Sequence, residues 1–357
     1  MIKHIKGFDG LRAFSILFVL ITHLGVFHML PEFPYIRERV WLLFSGTTGV
    51  NIFFTISGFL ITLLLLSEHK EKGRIHFKNF FIRRFLRLLP PLLVLYLVLA
   101  ILMMTGVIPT DYLAIGISAV YMYNFVPSWH YTDELGHTWS LGVEEQYYLL
   151  WPYILSKFHR KSGIKIIIVL ILLLSIGTIY IFSEYNSILQ FGEKIQKISK
   201  YFKINRWIIP AVSTIIIGSA GALYVFKKPD FAKAKFEGKA VVLLLSLMIM
   251  LSCLYMPRFM LPIFPIIQAV GVCGLLLWIY FNQSSSLSSF LSFKPLAYIG
   301  KISYGLYVYQ GLFLRTGSEG EWFFQQFPNN VILTVATAVL SFHLLEKPVL
   351  KLKSRFR

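Results

Sequence analysis

Two ionisable side chains in the first apolar stretch have the types and the spacing for acid–base chemistry. Arg12 and His23 are eleven positions apart, which in a helix puts them about 16 Å apart along the axis and near one face. An ionisable group inside an apolar span is costly, so each is a functional candidate. Because imidazole takes a proton from a hydroxyl near neutral pH, His23 is the predicted general base. The alternative is that Arg12 snorkels to lipid headgroups and His23 is interfacial.

A second polar cluster opens a later apolar helix, where Glu144 and Glu145 follow Trp139. Successive helical residues point about 100° apart, so only one carboxylate can face a given partner squarely. A carboxylate beside His23 would hold the imidazole in one tautomer and stabilise its cation. The alternative is that both acids compensate the helix dipole. Trp139 and the aromatic residues after it either form an interfacial belt or provide a platform for sugar rings.

Arg84 and Arg87 are three positions apart, which places them on one face of a helix entering the third apolar stretch. Guanidinium groups fit phosphate oxygens well, so the pair is a candidate phosphate site. The competing explanation is that basic residues are expected at the cytoplasmic end of any span.

Other polar residues occur in apolar surroundings and are candidates for substrate contact. Asn51 and Ser57 lie in the second stretch, and Tyr307 shares a helical stripe with Gln310 near the end of the chain. Packing of small residues and satisfied tyrosine hydroxyls are the competing explanations. The residues that we expect to contact substrate are Asn51, Ser57, Trp139, Glu145, Tyr307 and Gln310.

The elements that must position these residues are membrane helices. Of the 357 residues, 56% are hydrophobic and only 15% are charged, which is too apolar for one soluble domain. The net charge of +18 does not indicate nucleic acid, because the basic residues lie in short clusters between apolar runs. We predict an all-α, polytopic membrane protein with ten transmembrane helices, at about 8–28, 41–66, 88–107, 141–156, 165–183, 208–226, 240–256, 262–281, 296–314 and 329–346.

Charge distribution predicts the orientation. With the N- and C-termini in the cytoplasm, most basic clusters fall on the inside, as the positive-inside rule requires. Residues 108–138 must then be re-entrant or interfacial. We expect a single multi-pass domain over residues 1–357 in the bacterial inner (plasma) membrane, with no appended soluble domain. Cys253 and Cys273 lie in apolar stretches, so neither a disulfide framework nor a metal site is expected.

The outer segment 184–206 departs from the charge rule. Lysine and arginine recur there at three-residue steps with apolar residues between them, which indicates an amphipathic surface helix. It either attracts an anionic polysaccharide or anionic lipid, or is simply a tolerated surface helix.

Five motifs in this order resemble the membrane acyltransferase family 3, in particular its O-antigen O-acetyltransferase branch. The motifs are Phe8-Asp-Gly-Leu-Arg-Ala13 with His23, Gly49 to Gly58, Arg84-Phe-Leu-Arg87, His137 to Pro152 and Glu346-Lys-Pro348. The resemblance implies transfer of an acyl group, commonly acetyl from acetyl-CoA, to a hydroxyl of an extracytoplasmic glycan such as lipopolysaccharide O-antigen.

The resemblance also implies roles for individual residues. His23 and Arg12 would be essential, Arg84 and Arg87 would meet the CoA phosphates, and Glu144 is the acid that the family pattern keeps. Two positions depart from that pattern, because many members have Asp where this chain has Asn51 and His where it has Gln310.

Our hypothesis is that acetyl-CoA docks from the cytoplasm and that His23 activates the acceptor hydroxyl while Glu144 orients the ring. Direct transfer and an acyl-histidine intermediate both remain open. Arg12 would hold either a donor phosphate or a carboxylate. The rival function is a proton-coupled exporter or flippase of a glycan or lipid-linked intermediate that uses the same buried groups. The absence of visible inverted repeats in the sequence argues against that rival.

Overall fold

The structure is a computed structural model that describes residues 5–25, 34–158, 163–181, 198, 201–314 and 322–353. This part of the chain is built from helices and short turns, and its one extended contact is an isolated bridge between Pro127 and Phe202. The predicted all-α class is therefore confirmed. The first seven helices are α1 (Phe8–His23), α2 (Pro34–Phe44), α3 (Gly46–Lys72), α4 (Phe77–Met104), α5 (Tyr112–Ala119), α6 (Thr138–Phe158) and α7 (Gly163–Ile181).

The second half of the chain is also helical. Its helices are α8 (Ile208–Lys227), α9 (Pro229–Phe236), α10 (Ala240–Met250), α11 (Phe264–Phe281), α12 (Ser286–Leu291), α13 (Lys294–Phe313), α14 (Asn329–Ser341) and α15 (Lys347–Leu352). A π-helical turn over Phe342–Glu346 joins α14 to α15.

Each of the ten predicted stretches contains a helix, but not every helix has the length and composition of a full crossing. Within the described ranges, six helical segments are long and apolar enough to cross a membrane. The 11 residues of α10 rise only about 16 Å, roughly half of the hydrocarbon thickness. The multi-pass character is thus supported. The number ten and the cytoplasmic side of both termini stay predictions.

The stretch between α4 and α6 was predicted not to cross the membrane. Its helix, α5, has 8 residues and rises about 12 Å, too short for a span. Two short 3₁₀ turns follow it, at Tyr123–Phe125 and Ser128–His130. The third predicted span differs in its start, because α4 begins at Phe77 and places the whole arginine motif inside a helix.

A close crossing of α3 and α8 forms the centre of the molecule. Gly58 of α3 lies against the backbone of Ile215, and Gly218 of α8 lies against the backbone of Thr55. Small residues allow such contact between helix backbones in a membrane. Helix α1 is packed between α3 and α13 in the same way, because Gly49 of α3 lies against the backbone of Ser15 and Gly300 of α13 lies against that of Asp9. By contrast, α7 exposes large apolar side chains such as Leu173 to the surroundings, as a lipid-facing helix does.

Adding one methyl group at the α3–α8 crossing should destabilise the protein. A Cβ atom at Gly218 would lie 2.0 Å from the Thr55 carbonyl oxygen, so Gly218→Ala must push the helices apart at a cost of about 1–3 kcal/mol. Gly177→Ala in α7 is the matched control, because nothing lies within 4 Å of its Cβ position. Thermal unfolding of the detergent-purified variants checks this. Equal melting temperatures for the two variants would contradict the described crossing.

Candidate active site

Two cavities lie back to back in the helix bundle. The larger cavity has a volume of about 730 Å³ and is lined by residues that include His23, Asn51 and Trp139. We call it the outer cavity, and the other one the inner cavity, after the sides on which the predicted orientation places them. The inner cavity, of about 120 Å³, is lined by Arg12, Arg84, Arg87, Ser57 and Glu144 among others. Three side chains line both cavities and form the wall between them: Val50, Phe54 and Tyr307. The size of the outer cavity is typical of a ligand site.

His23 is the last residue of α1 and faces the outer cavity. Its Nδ1 lies 2.8 Å from the backbone oxygen of Val19. Because a carbonyl oxygen can only accept, Nδ1 must donate this hydrogen bond, which leaves Nε2 as the basic nitrogen of the neutral ring. The adjacent Thr22 accepts a hydrogen bond of 2.6 Å from the backbone N–H of Gly46. This contact fixes the end of α1 against the start of α3.

The predicted partnership of Glu144 with His23 was wrong. Glu144 lines the inner cavity, and its Oε1 accepts a hydrogen bond from the hydroxyl of Tyr148, one turn further along α6. In catalytic triads the carboxylate orients the imidazole by accepting a hydrogen bond from its Nδ1–H. In this structure the Val19 carbonyl makes that bond to the ring. Glu144 therefore belongs to the surroundings of the arginines.

The wall between the cavities is held by hydrogen bonds around Tyr307. Its hydroxyl lies 2.5 Å from Ser140 Oγ and donates to the backbone oxygen of His137 at 2.8 Å. Phe54 meets the ring of Trp139 edge-on, at a centroid distance of 6.1 Å. Tyr307 and Trp139 both line the outer cavity, and the packing alternative also describes their contacts. Contact of these two side chains with substrate stays a prediction.

The inner cavity is strongly basic. Arg12, Arg84 and Arg87 line it together with one carboxylate, Glu144. Arg12 pairs with Asp9 at 3.5 Å, and the guanidinium carbon of Arg84 lies 4.4 Å from the centre of the Tyr148 ring. Among the described ion pairs none involves Arg87. Guanidinium groups in this arrangement can receive the phosphates of a ligand that enters from this side.

Two residues of the predicted site do not reach either cavity. Glu145 points away from Glu144, as the 100° step of a helix requires, and is absent from both described linings. Gln310 is only 1% exposed and both of its amide atoms lack a hydrogen-bond partner within the described structure. The expectation that these two side chains contact substrate is not supported by their positions.

The outer cavity is also lined by three residues that were not among the predicted site residues, namely His137, Lys203 and Arg206. His137 lines it, is 6% exposed, and meets the Tyr307 ring edge-on at 5.3 Å. Neither of its ring nitrogens makes a hydrogen bond of good geometry within the described chain. His137 is the first residue of the motif that runs to Pro152, and Lys203 and Arg206 belong to the basic segment 184–206, for which attraction of an anionic polysaccharide or anionic lipid was one of the two interpretations. Most of that segment, including the predicted amphipathic helix, lies outside the described residues.

Lys353, at the end of α15, adds a cation on the side of the inner cavity. Loss of solvent and the neighbouring charges of Arg87 and Arg84 lower the pKa of Lys353 to about 7. A bound anion would favour the charged form of this amine and raise its pKa again. Lys353 is one of several basic residues in the C-terminal tail, so the sequence pattern does not distinguish it from the others.

Comparisons with known proteins identify the family of this chain. Residues 5–346 match the model of the family described as acyltransferase domain. The chain is 28% identical to the O-acetyltransferase OatA of Staphylococcus aureus (strain NCTC 8325 / PS 47), over 98% of this chain and 58% of OatA. It is also 28% identical to the putative peptidoglycan O-acetyltransferase YrhL of Bacillus subtilis (strain 168), over 97% of this chain and 55% of YrhL.

A shorter match links the chain to a putative O-acetyltransferase of Staphylococcus aureus (strain COL), with 36% identity over 43% of this chain and 25% of the relative. The chain therefore spans a little over half the length of the first two curated relatives. No solved structure matches it significantly. Because the family model covers nearly all of its length, this chain belongs to the acyltransferase 3 family of membrane proteins.

Proposed function

We propose that this protein transfers an acyl group, acetyl in the first instance, from cytoplasmic acyl-CoA to a hydroxyl of an extracytoplasmic glycan. The observation that carries the proposal is the division of the site into two cavities. A base, His23, lies in the outer one and three arginines lie in the inner one, with Val50, Phe54 and Tyr307 between them. A phosphorylated donor would use the cavity with the arginines, and a hydroxyl acceptor would use the cavity with the base.

Arg84 and Arg87 would bind the phosphates of the donor, and Arg12 extends the positive charge deeper into the bundle. The donor's narrow thioester arm would point toward the wall at Phe54 and Tyr307. The inner cavity of about 120 Å³ is too small for a whole acyl-CoA, so the nucleotide portion must stay at its cytoplasmic mouth. In this arrangement CoA remains on the cytoplasmic side and only the acyl group reaches the outer cavity.

The chemical step needs one base in the right tautomer. His23 Nε2 takes the proton of the acceptor hydroxyl while the hydroxyl oxygen attacks the thioester carbonyl carbon. The new C–O bond forms, the C–S bond breaks, and the thiolate of CoA takes the proton from the imidazolium. If Nε2 attacked the carbonyl first, an acyl-histidine would form and the glycan hydroxyl would then displace it. Both routes use the same nitrogen, which the Val19 contact leaves available.

The acceptor is a surface glycan. The name of one relative specifies peptidoglycan, and the others are named as O-acetyltransferases. Peptidoglycan is therefore the first acceptor to test, and lipopolysaccharide O-antigen, which the motif resemblance suggests, is the second. For either one the protein would act from the bacterial plasma (inner) membrane, with its outer cavity open to the extracytoplasmic side.

Acetyl transfer should occur without any membrane gradient. We expect detergent-purified protein, given acetyl-CoA labelled in the acetyl group and glycan fragments, to release CoA and to label the glycan at ester-linked positions. Mass spectrometry of the glycan and a thiol assay for CoA measure the two products. A proton-coupled exporter would instead consume no acetyl-CoA and would move glycan only across sealed vesicles under a gradient, and that result would replace the proposed function.

A further inference from the structure

Two cations of the outer segment are held inside the outer cavity. Arg206 ends the 3₁₀ turn Ile204–Arg206, whose first residue is 4% exposed. The neighbouring rings of Phe202 and Trp207 pack edge-on at 6.2 Å, and Phe202 forms the backbone bridge to Pro127. The turn is therefore anchored on the rest of the fold, and the direction in which Arg206 projects is set by that packing.

Aromatic rings support both cations. The guanidinium carbon of Arg206 lies 5.5 Å from the centre of the Tyr131 ring and 5.4 Å from that of Trp139. The ammonium of Lys203 lies 3.9 Å from the centre of the same Tyr131 ring. Cation–π contacts hold a charged group in place without neutralising it. The charge of both residues therefore remains available to a ligand.

The outer cavity has an excess of positive charge. Neither Lys203 nor Arg206 takes part in an ion pair among the described residues. Asp133 is the one carboxylate among the described residues of the lining, and it makes interactions of its own. Positive charge on the outer side runs against the distribution that membrane insertion favours. A ligand that carries negative charge would account for it.

We propose that Arg206 and Lys203 form an anion subsite beside His23 that binds an acidic substituent, a carboxylate or a phosphate, of the acceptor glycan. The inference rests on the proposed function in one respect, namely that the outer cavity receives a glycan. A guanidinium group offers two parallel N–H donors to either anion. The subsite would place a hydroxyl of an acidic glycan within the same cavity as the His23 imidazole.

The test measures binding, with no turnover required. The full chain in lipid nanodiscs is titrated with three fluorescent oligosaccharides of equal length, one neutral, one carrying carboxylates and one carrying phosphates. Fluorescence anisotropy at low and at physiological salt gives the affinities. The variants are Arg206→Gln, Lys203→Gln and Arg206→Lys. The matched control is Lys235→Gln in α9, an exposed lysine outside both cavities.

We expect the wild-type protein to bind at least one acidic oligosaccharide about tenfold or more tightly than the neutral one at low salt, with a preference that salt reduces. Arg206→Gln should abolish this preference, because it weakens acidic binding far more than neutral binding. Arg206→Lys should retain part of it, and Lys235→Gln all of it. The more affected of the two acidic probes identifies the anion as carboxylate or phosphate.

Equal affinity of the wild-type protein for acidic and neutral oligosaccharides would overturn the inference, as would an equal loss of both in Arg206→Gln. If Arg206→Gln does not fold, Lys203→Gln and the salt dependence of the wild-type protein decide the question in the same way. Failure of the proposed function would be seen in a different measurement, the consumption of acetyl-CoA. Acetyl-CoA would then remain unconsumed with every acceptor, whatever the anisotropy titrations give.

Discussion

Replacing His23 with Ala is expected to lower acyl transfer by a factor of about 10²–10⁴, the usual contribution of a positioned general base. The physical reason is the tautomeric state of the His23 ring. With Nδ1 bound to the Val19 carbonyl, Nε2 is the ring nitrogen that can accept the hydroxyl proton. His23→Gln should be equally inactive, because an amide can form hydrogen bonds but does not act as a base near neutral pH. The measurement is the rate of ester formation on the glycan per folded protein.

His343→Gln is the matched control for this experiment. His343 is exposed, lies near the end of α14, and contacts the Tyr298 hydroxyl at 3.1 Å, away from both cavities. Its replacement should leave the rate unchanged. Size-exclusion profiles and melting curves show whether each variant is folded. A well-folded His23→Ala protein that transfers acetyl within a few-fold of the wild-type rate would remove His23 from the mechanism.

The second large effect is expected on the donor side. Arg87→Gln should raise the KM for acetyl-CoA by about 10–100-fold, since the loss of a charge-assisted hydrogen bond to phosphate costs about 1.5–3 kcal/mol. The maximal rate at saturating donor should change much less, because Arg87 lines the inner cavity and not the outer one that holds His23. Steady-state kinetics with acetyl-CoA as the varied substrate separate the two parameters.

The chain offers a control four residues away. Arg83 pairs with Glu68 at 3.2 Å and is not among the residues that line the inner cavity, so Arg83→Gln removes the same charge from the same helix without touching the proposed phosphate site. We expect its KM to stay within a few-fold of the wild-type value. Equal increases for both variants would mean that general positive charge, and not a defined site, attracts the donor.

Hydropathy and local spacing were sufficient to predict the individual helices. The predicted stretch 165–183 corresponds to the helix Gly163–Ile181, and 262–281 corresponds to Phe264–Phe281. Local spacing also placed Arg12 and His23 correctly at opposite ends of one helix. Such features depend only on the periodicity of a helix and on the apolar character of its side chains.

Contacts between helices could not be predicted in this way. Whether Glu144 meets His23 depends on how α6 is rotated and how deep it lies relative to α1, and neither is encoded in local spacing. Arg206 reaches the cavity because its turn is anchored by Phe202 and Trp207. From the sequence it is one member of a basic series on an outer surface. Gln310 was misjudged because a buried amide and a substrate-binding amide have the same sequence signature.

The wall formed by Val50, Phe54 and Tyr307 has an electrical consequence. In the charge count of the proposed reaction, the acyl group moves from the inner to the outer side as an acyl cation. The proton of the acceptor hydroxyl moves from the outer to the inner side, where it ends on the thiol of CoA. One unit of positive charge therefore moves in each direction, and the sum is zero. The equilibrium of such an exchange is independent of the membrane potential, so the free energy of the thioester alone can drive esterification on the far side of the bilayer.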